Sequence, residues 1–236
     1  MRLLITLTGG ARLSLAYRRE QQGLLYNLLR ADPTYSAFLH DQGYEAGKKR
    51  FKLFTFSALR GSYTVEGKEI CFPGPVRFEA RSPDDALISA LRAACRPGTP
   101  VMLGSQPMVV EACRPLPMPP LFDGVEVLAR TVTVHTTDAQ GHTHCYSPEE
   151  EGFSAAIEAN ALRKWQGVCP DAPFDFSVRP VDGAWKRQVT TFKGTYITAW
   201  TGRLVLHGSP QVLAFLYNTG LGARNSQGFG IFDPAD

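Results

Sequence analysis

The order of elements restricts what this chain can fold into more than any single residue does, because one run of strand, helix, strands, helix and strand can be read along it twice. Met1 to Thr8 alternates, with Leu3, Ile5 and Leu7 on one side, which is the period of a half-buried strand. From about Tyr17 to Arg30 the spacing of Leu24, Leu25, Leu28 and Leu29 predicts a helix, and Asp32-Pro33 ends it. A short helix over Thr34 to Asp41 and a strand over Phe51-Lys-Leu-Phe-Thr-Phe-Ser57 follow. Ser62 to Phe72 reads as a hairpin turning at Glu66-Gly67, and Val76 to Ala80 as a strand. Ser82-Pro83-Asp84-Asp85 then opens a second helix, with a cap, a first-turn proline and acids at the positive end of the dipole. It runs to about Ala94, and Val101 to Cys113 is extended. This order is compatible with a ferredoxin-like unit.

Pro115-Leu-Pro-Met-Pro-Pro120 is the only proline-dense stretch and the natural linker. Beyond it the pattern returns. Val125 to Thr136 is a strand, and Ser147-Pro148-Glu149-Glu150-Glu151 starts a helix reaching about Trp165. Phe174 to Arg179, Lys186 to Phe192 and Tyr196 to Leu206 are strands. Ser209-Pro210 opens a helix to Tyr217, and Phe229 to Phe232 closes the unit as a strand. In both halves the second helix opens with Ser-Pro, at Ser82 and at Ser209, which points to two copies of one topology.

The loop before that last strand, Gly220-Leu-Gly-Ala-Arg-Asn-Ser-Gln-Gly-Phe-Gly230, suits a phosphate, because backbone amides and the Arg224 guanidinium can converge on one anion. It is neither a dinucleotide fingerprint nor a P-loop, since Asn225 replaces the third glycine and no Lys-Ser/Thr pair follows. A helix C-cap followed by a turn would need the same glycines. A net charge of +3 and a pI near 8.6 permit a nucleic-acid partner. The basic residues cluster at Arg18-Arg19, at Lys48-Lys49-Arg50-Phe-Lys52 and at Lys186-Arg187, and Trp185 and Phe192-Lys193 add aromatic interleaving. Five scattered cysteines without a CxxC fit reduced thiols. No apolar stretch approaches a membrane span, so the expectation is a cytoplasmic protein with no membrane partner.

Tyr26, His40 and Lys52 lie within one short region. Metal-free RNA cleavage uses the ribose 2′-OH as an internal nucleophile and needs a base, an acid and a positive charge, roles these three types supply. His142-Thr-His144-Cys145 offers zinc-ligand types, but it follows a turn signal and lacks a second close ligand pair, so it reads as a polar hairpin. The acids at Asp84-Asp85 and Glu149 to Glu151 are explained by helix starts.

Gly23-Leu-Leu-Tyr-Asn27, Phe38-Leu-His40, Phe51 to Ser57 and Gly220 to Gly230 together resemble the CRISPR-associated repeat-RNA endoribonucleases of the repeat-associated mysterious protein superfamily. The Ser147-Pro-Glu helix and Thr198-Ala-Trp-Thr-Gly202 are similar to its C-terminal half, so the resemblance covers nearly the whole chain. It implies an α+β chain of two tandem ferredoxin-like domains, over 1–114 and 121–236. It also implies metal-independent cleavage of the precursor transcript within each repeat, leaving a 5′-hydroxyl and a 2′,3′-cyclic phosphate or a 2′/3′-phosphate. His40, Tyr26 and Lys52 match its catalytic residues, and no cofactor or metal is expected. Gly220, Gly222, Arg224, Asn225, Gly228, Gly230, Lys48, Lys49, Arg50, Arg187 and Lys193 are the expected RNA contacts. The implied partner is CRISPR repeat RNA, bound by a monomer or homodimer, with or without an effector complex. The alternative is a non-catalytic repeat-RNA-binding subunit of such a complex, which would need the loop but not His40.

Overall fold

Alternation builds the first strand, β1 (Arg2–Thr8), burying Leu3, Ile5 and Leu7. After β2 (Ala11–Ser14), leucines at helical spacing make one apolar face of α1 (Arg18–Leu29) and bury it. The short strands β3 (Tyr44–Ala46), β4 (Lys49–Phe51), β5 (Thr55–Phe56), β6 (Thr64–Glu66) and β7 (Glu69–Phe72) come next. The first unit ends with β8 (Val76–Arg81), α2 (Asp85–Ala94), β9 (Pro100–Leu103) and β10 (Gln106–Leu116). The second holds β11 (Val125–Val132), β12 (His135–Thr137), β13 (Thr143–Cys145) and α3 (Gly152–Gln166). It continues through β14 (Phe176–Pro180), β15 (Lys186–Phe192), β16 (Thr195–Gly208), α4 (Pro210–Thr219) and β17 (Ile231–Pro234). This computed structural model describes residues 1–30, 44–46, 49–138, 140–183 and 185–235, with backbone alone at 45, 46, 49 and 50. His40 and Lys48 therefore lie outside the described residues.

The two sheets have one topology. The first runs β5-β8-β1-β10 with β9 added at the edge, and the second runs β14-β16-β11-β17 with β15 paired to β16. In each, the strand that opens the unit lies between its third and fourth partners, and neighbours are antiparallel. That is the ferredoxin-like order, twice over. Leu53 packs in the second core while Phe54, next to it, packs in the first. Among the described residues, no helix is long and apolar enough to cross a membrane.

Several boundaries differ from the sequence reading. The single strand expected from Phe51 to Ser57 breaks at 52–54, because this stretch leaves the β3–β4 hairpin before joining β8. The cap of α2 is Asp84, whose carboxylate accepts from the Ala86 and Leu87 amides. Ser82 instead donates to the Leu53 carbonyl. The helix expected at Ser147 begins at Gly152, because the Glu150 carboxylate takes the Ser147 amide and holds the segment as a turn. Val101 to Cys113 is a hairpin turning at Gly104 rather than one strand. The strand expected from Val125 to Thr136 stops at Val132, where Thr131 adopts φ 51° and the register with β16 shifts.

Candidate functional site

The helical period of α1 sorts its side chains. Gln21, Leu24, Leu25, Leu28 and Leu29 face the core, while Arg19, Gln22, Gly23, Tyr26 and Arg30 share the opposite stripe. That stripe forms one wall of a cleft of about 620 Å³ between the two units. Lys52 stands on the same wall. Across from them are Arg224 with Ser226 and Gln227 from the glycine loop, and Phe192, Lys193 and Thr195 from the β15–β16 hairpin. Lys193 and Gly194 both have positive φ (50° and 80°), the pairing of a tight two-residue hairpin turn. Five cationic side chains line the cleft, Arg19, Arg30, Lys52, Lys193 and Arg224, and no carboxylate stands among its described lining residues. Such a surface focuses positive potential on a polyanion.

Tyr26 and Lys52 are brought into contact. The Lys52 Nζ lies over the Tyr26 ring, 5.0 Å from its centroid, and Phe54 meets that ring edge-on at 6.1 Å. In the break between β4 and β5, Lys52 and Phe54 meet the Tyr26 ring of α1 while Leu53 packs into the second core. Burial pushes the Tyr26 phenol up to about 12, so it is a proton-bearing donor at neutral pH.

The glycine loop is a docked element. Arg18 donates to the Gly228 carbonyl and to Thr131 Oγ1, with its guanidinium 4.6 Å over the Phe229 ring. Gln22 donates to the Ser226 carbonyl at 2.6 Å. The amides of Leu221, Ala223, Gln227, Gly228 and Gly230 are all spent on backbone carbonyls. The Asn225 amide nitrogen holds the Leu221 and Phe229 carbonyls. Those five amides are therefore not open to a phosphate: Gly220, Gly222, Gly228 and Gly230 shape the loop, Asn225 ties its ends, and Arg224, Ser226 and Gln227 face the cleft. Gly230 has φ +74°, and a Cβ there would run into the Leu221 carbonyl oxygen. Gly230→Ala should cost at least about 2 kcal/mol, seen in a denaturant midpoint, from positive-φ strain plus this collision. Gly23→Ala, whose Cβ would meet nothing within 4 Å, should be neutral or stabilise by about 0.5–1 kcal/mol.

Beyond Arg224 the cleft opens into a second recess of about 300 Å³, which shares Lys52, Arg224 and Ser226 with it. Its floor is Lys164, only 2% exposed, whose ammonium donates to the Gly220 carbonyl at 2.5 Å and to Asn225 Oδ1 at 3.1 Å. Burial holds the Lys164 pKa down at about 7. An unfolded lysine titrates near 10.4, so between about pH 7 and 10 the unfolded chain binds the extra proton and stability rises with pH. Lys164→Met should flatten that rise in urea midpoints measured across the window.

Of the remaining expected positions, Arg187 is the one whose side chain is described. Arg187 is exposed on β15, opposite Trp200, and is absent from the cleft lining. Lys49 and Arg50 are described in backbone only, in the β3–β4 hairpin. In the polar hairpin, His142 pairs with Asp138 and His144 with Glu150. Arg18, Gln22 and Lys164, which hold the glycine loop, and Arg19 and Arg30, which line the cleft, were not among the expected contacts. Arg19, Gln22, Tyr26 and Arg30 recur at one face's spacing, which the sequence offered, whereas Lys164 hides in a core position of α3.

Residues 126–234 match the family model described as the C-terminal region of the CRISPR-associated protein Cas6. The chain is 24% identical over 218 residues to the CRISPR-associated endoribonuclease Cas6 of Pyrococcus furiosus, covering 89% of this chain and 79% of that protein. It is 24% identical over 226 residues to CRISPR-associated endoribonuclease Cas6 1 of Methanocaldococcus jannaschii, covering 88% and 81%. A solved structure of a CRISPR-associated protein Cas6 superposes with a TM-score of 0.80 at 20% identity, over 100% of this chain and 99% of that one.

Proposed function

We infer that this chain belongs to the Cas6 family of CRISPR-associated endoribonucleases, whose C-terminal region its residues 126–234 match and whose fold it shares from end to end. It binds CRISPR repeat RNA and cuts it. The observation that carries this reading is the contact of Lys52 with Tyr26 on the wall of a cation-lined cleft between two ferredoxin-like units.

Cleavage proceeds without a metal, by attack of the ribose 2′-oxygen on the adjacent phosphorus as the bond to the 5′-oxygen breaks. A base removes the 2′-hydroxyl proton, an acid returns one to the leaving 5′-oxygen, and a cation offsets the charge of the phosphorane. Lys52 supplies the cation. Tyr26, held protonated by burial, orients the phosphate or the 2′-oxygen as a hydrogen-bond donor. His40 then takes the proton-transfer role. Arg224, Arg19, Arg30 and Lys193 hold the phosphates on either side.

End-group analysis of the cut repeat tests this directly. A 5′-hydroxyl and a 2′,3′-cyclic phosphate are expected, and a 5′-phosphate would overturn the 2′-oxygen mechanism. Arg224→Ala should weaken repeat-RNA binding and lower the slope of log affinity against log salt by about 0.7, the value of one single-strand phosphate contact. An unchanged slope would remove Arg224 from the phosphate contacts.

A further inference from the structure

Arg224 and the Tyr26–Lys52 pair face one cleft from different units, so their spacing depends on what ties α1 to the glycine loop. Among the described residues, two side chains of α1 reach that loop, Arg18 to the Gly228 carbonyl and Gln22 to the Ser226 carbonyl. Arg18 lines a different recess, with Arg130 and Thr201, whereas Gln22 borders the cleft itself. The turn that presents Arg224 leaves one carbonyl for Gln22. Arg224 has φ 60° and opens a short 3₁₀ turn over Asn225–Gln227. Its carbonyl accepts from the Gln227 amide, and the Asn225 carbonyl from the Gly228 amide. The Ser226 carbonyl takes Gln22 Nε2 at 2.6 Å. Within the same turn the Arg224 guanidinium donates to Gln227 Oε1 at 3.3 Å, so a hold on Ser226 is a hold on Arg224. On the helix, Gln22 and Tyr26 are four residues apart on the cleft-facing stripe. About 6 Å of helical rise therefore joins the loop's anchor to the ring beneath Lys52.

We propose that Gln22 is a positioning residue for cleavage: by holding the Ser226 carbonyl it fixes the Arg224 turn, and the phosphate bound there, against Tyr26 and Lys52. The inference rests on the RNA-cleaving reading above, with Arg224 as a phosphate contact, and adds to it a residue that acts through Arg224. In-line attack of the 2′-oxygen needs the phosphate accurately placed, and a displacement of about 1 Å costs on the order of 100-fold in rate. One uncharged hydrogen bond adds little affinity beside a cationic lining, so its loss is felt in rate rather than in binding.

The test is a double-mutant cycle in the full chain, read as single-turnover cleavage of labelled repeat RNA at saturating protein. Gln22→Met keeps the side chain's length and removes the donor. It should slow cleavage by about tenfold, while affinity for a repeat with 2′-deoxyribose at the cut stays within about threefold of the parent's. The deciding comparison is made in Arg224→Ala. There Gln22→Met should slow cleavage by less than about twofold further, because the group it aims is gone. A folding defect, or a direct contact of Gln22 with the RNA, would slow both backgrounds by the same factor, and that result would overturn the proposal. So would a Gln22→Met rate equal to the parent's, or an Arg224→Ala rate equal to the parent's. Absence of any cleavage by the parent would instead overturn the endoribonuclease reading and the proposal with it, so the two failures are distinguishable.

Discussion

Replacing Lys52 with alanine is expected to lower the single-turnover rate of repeat cleavage by about 10²–10³-fold, the usual loss when one charge-stabilising donor is removed from a transition state. The expectation follows from its placement. The break in the chain at 52–54 puts Leu53 into the second core and Phe54 into the first, so the backbone that carries Lys52 is clamped on both sides. Its ammonium sits over the half-buried Tyr26 ring rather than swinging free in solvent. Affinity for RNA should fall far less, because Arg19, Arg30, Lys193 and Arg224 still line the cleft. A loss in rate with little loss in binding is the signature of an interaction made chiefly in the transition state. Tyr26→Phe keeps the ring beneath the ammonium and removes only the hydroxyl, so it separates the phenol's own part from its support of Lys52. A Lys52→Ala protein that cuts within about threefold of the parent would remove the charge-stabilising role.

The second large effect is on stability, at Arg81. Its side chain is 0% exposed, yet it ends a strand of the first sheet and bonds both to Glu79 on that strand and across to β17 of the second. It donates to the Phe232 carbonyl at 2.7 Å, to Asp233 at 2.6 Å and to Glu79 at 2.9 Å, and it stacks 4.1 Å over the Tyr217 ring. Arg2 holds Glu79 from outside, and Arg130 holds Asp233. Burial alone would raise the Asp233 carboxyl, but the Arg81 charge and hydrogen bond hold it below its ordinary value. A carboxyl so lowered adds stability above its unfolded pKa, and that contribution is lost as pH falls through the folded value. Arg81→Ala removes the buried cation that Glu79 and Asp233 share, leaving Arg2 on Glu79 and Arg130 on Asp233, and should cost about 3 kcal/mol. For a chain of this length that is a fall on the order of 10 °C in melting temperature. Arg81→Lys keeps the charge but loses the fork and should recover only part of it. A melting temperature within about 2 °C of the parent for Arg81→Ala would show that the domain contact does not depend on this network.

The sequence made the fold legible because both units obey simple periods: the alternation of Leu3, Ile5 and Leu7, the leucine stripe of α1, and the Ser-Pro opening of α4 all form as read. What it hid were the places where two cores compete for one segment. Phe51 to Ser57 alternates like a single strand, but its residues pack into different units. In the candidate site, Tyr26, Lys52, Lys193 and Arg224 could be named from residue type and order, and the cleft gathers them. The loop glycines were read for phosphate approach, whereas tertiary contact uses them for close packing against Leu221 and α1. Lys164 was illegible because its position in α3 belongs to the buried stripe with Ile157, Ala161 and Trp165, where a lysine gives no sign of its partners.

The most direct measurement is cleavage of the labelled repeat RNA by the purified protein in excess chelator, beside its His40→Ala variant. One cut per repeat by the parent, undiminished by the chelator and lost in the variant, is the expected result. Tight binding of the repeat with no cleavage by the parent would contradict the endoribonuclease and leave an RNA-holding subunit in its place.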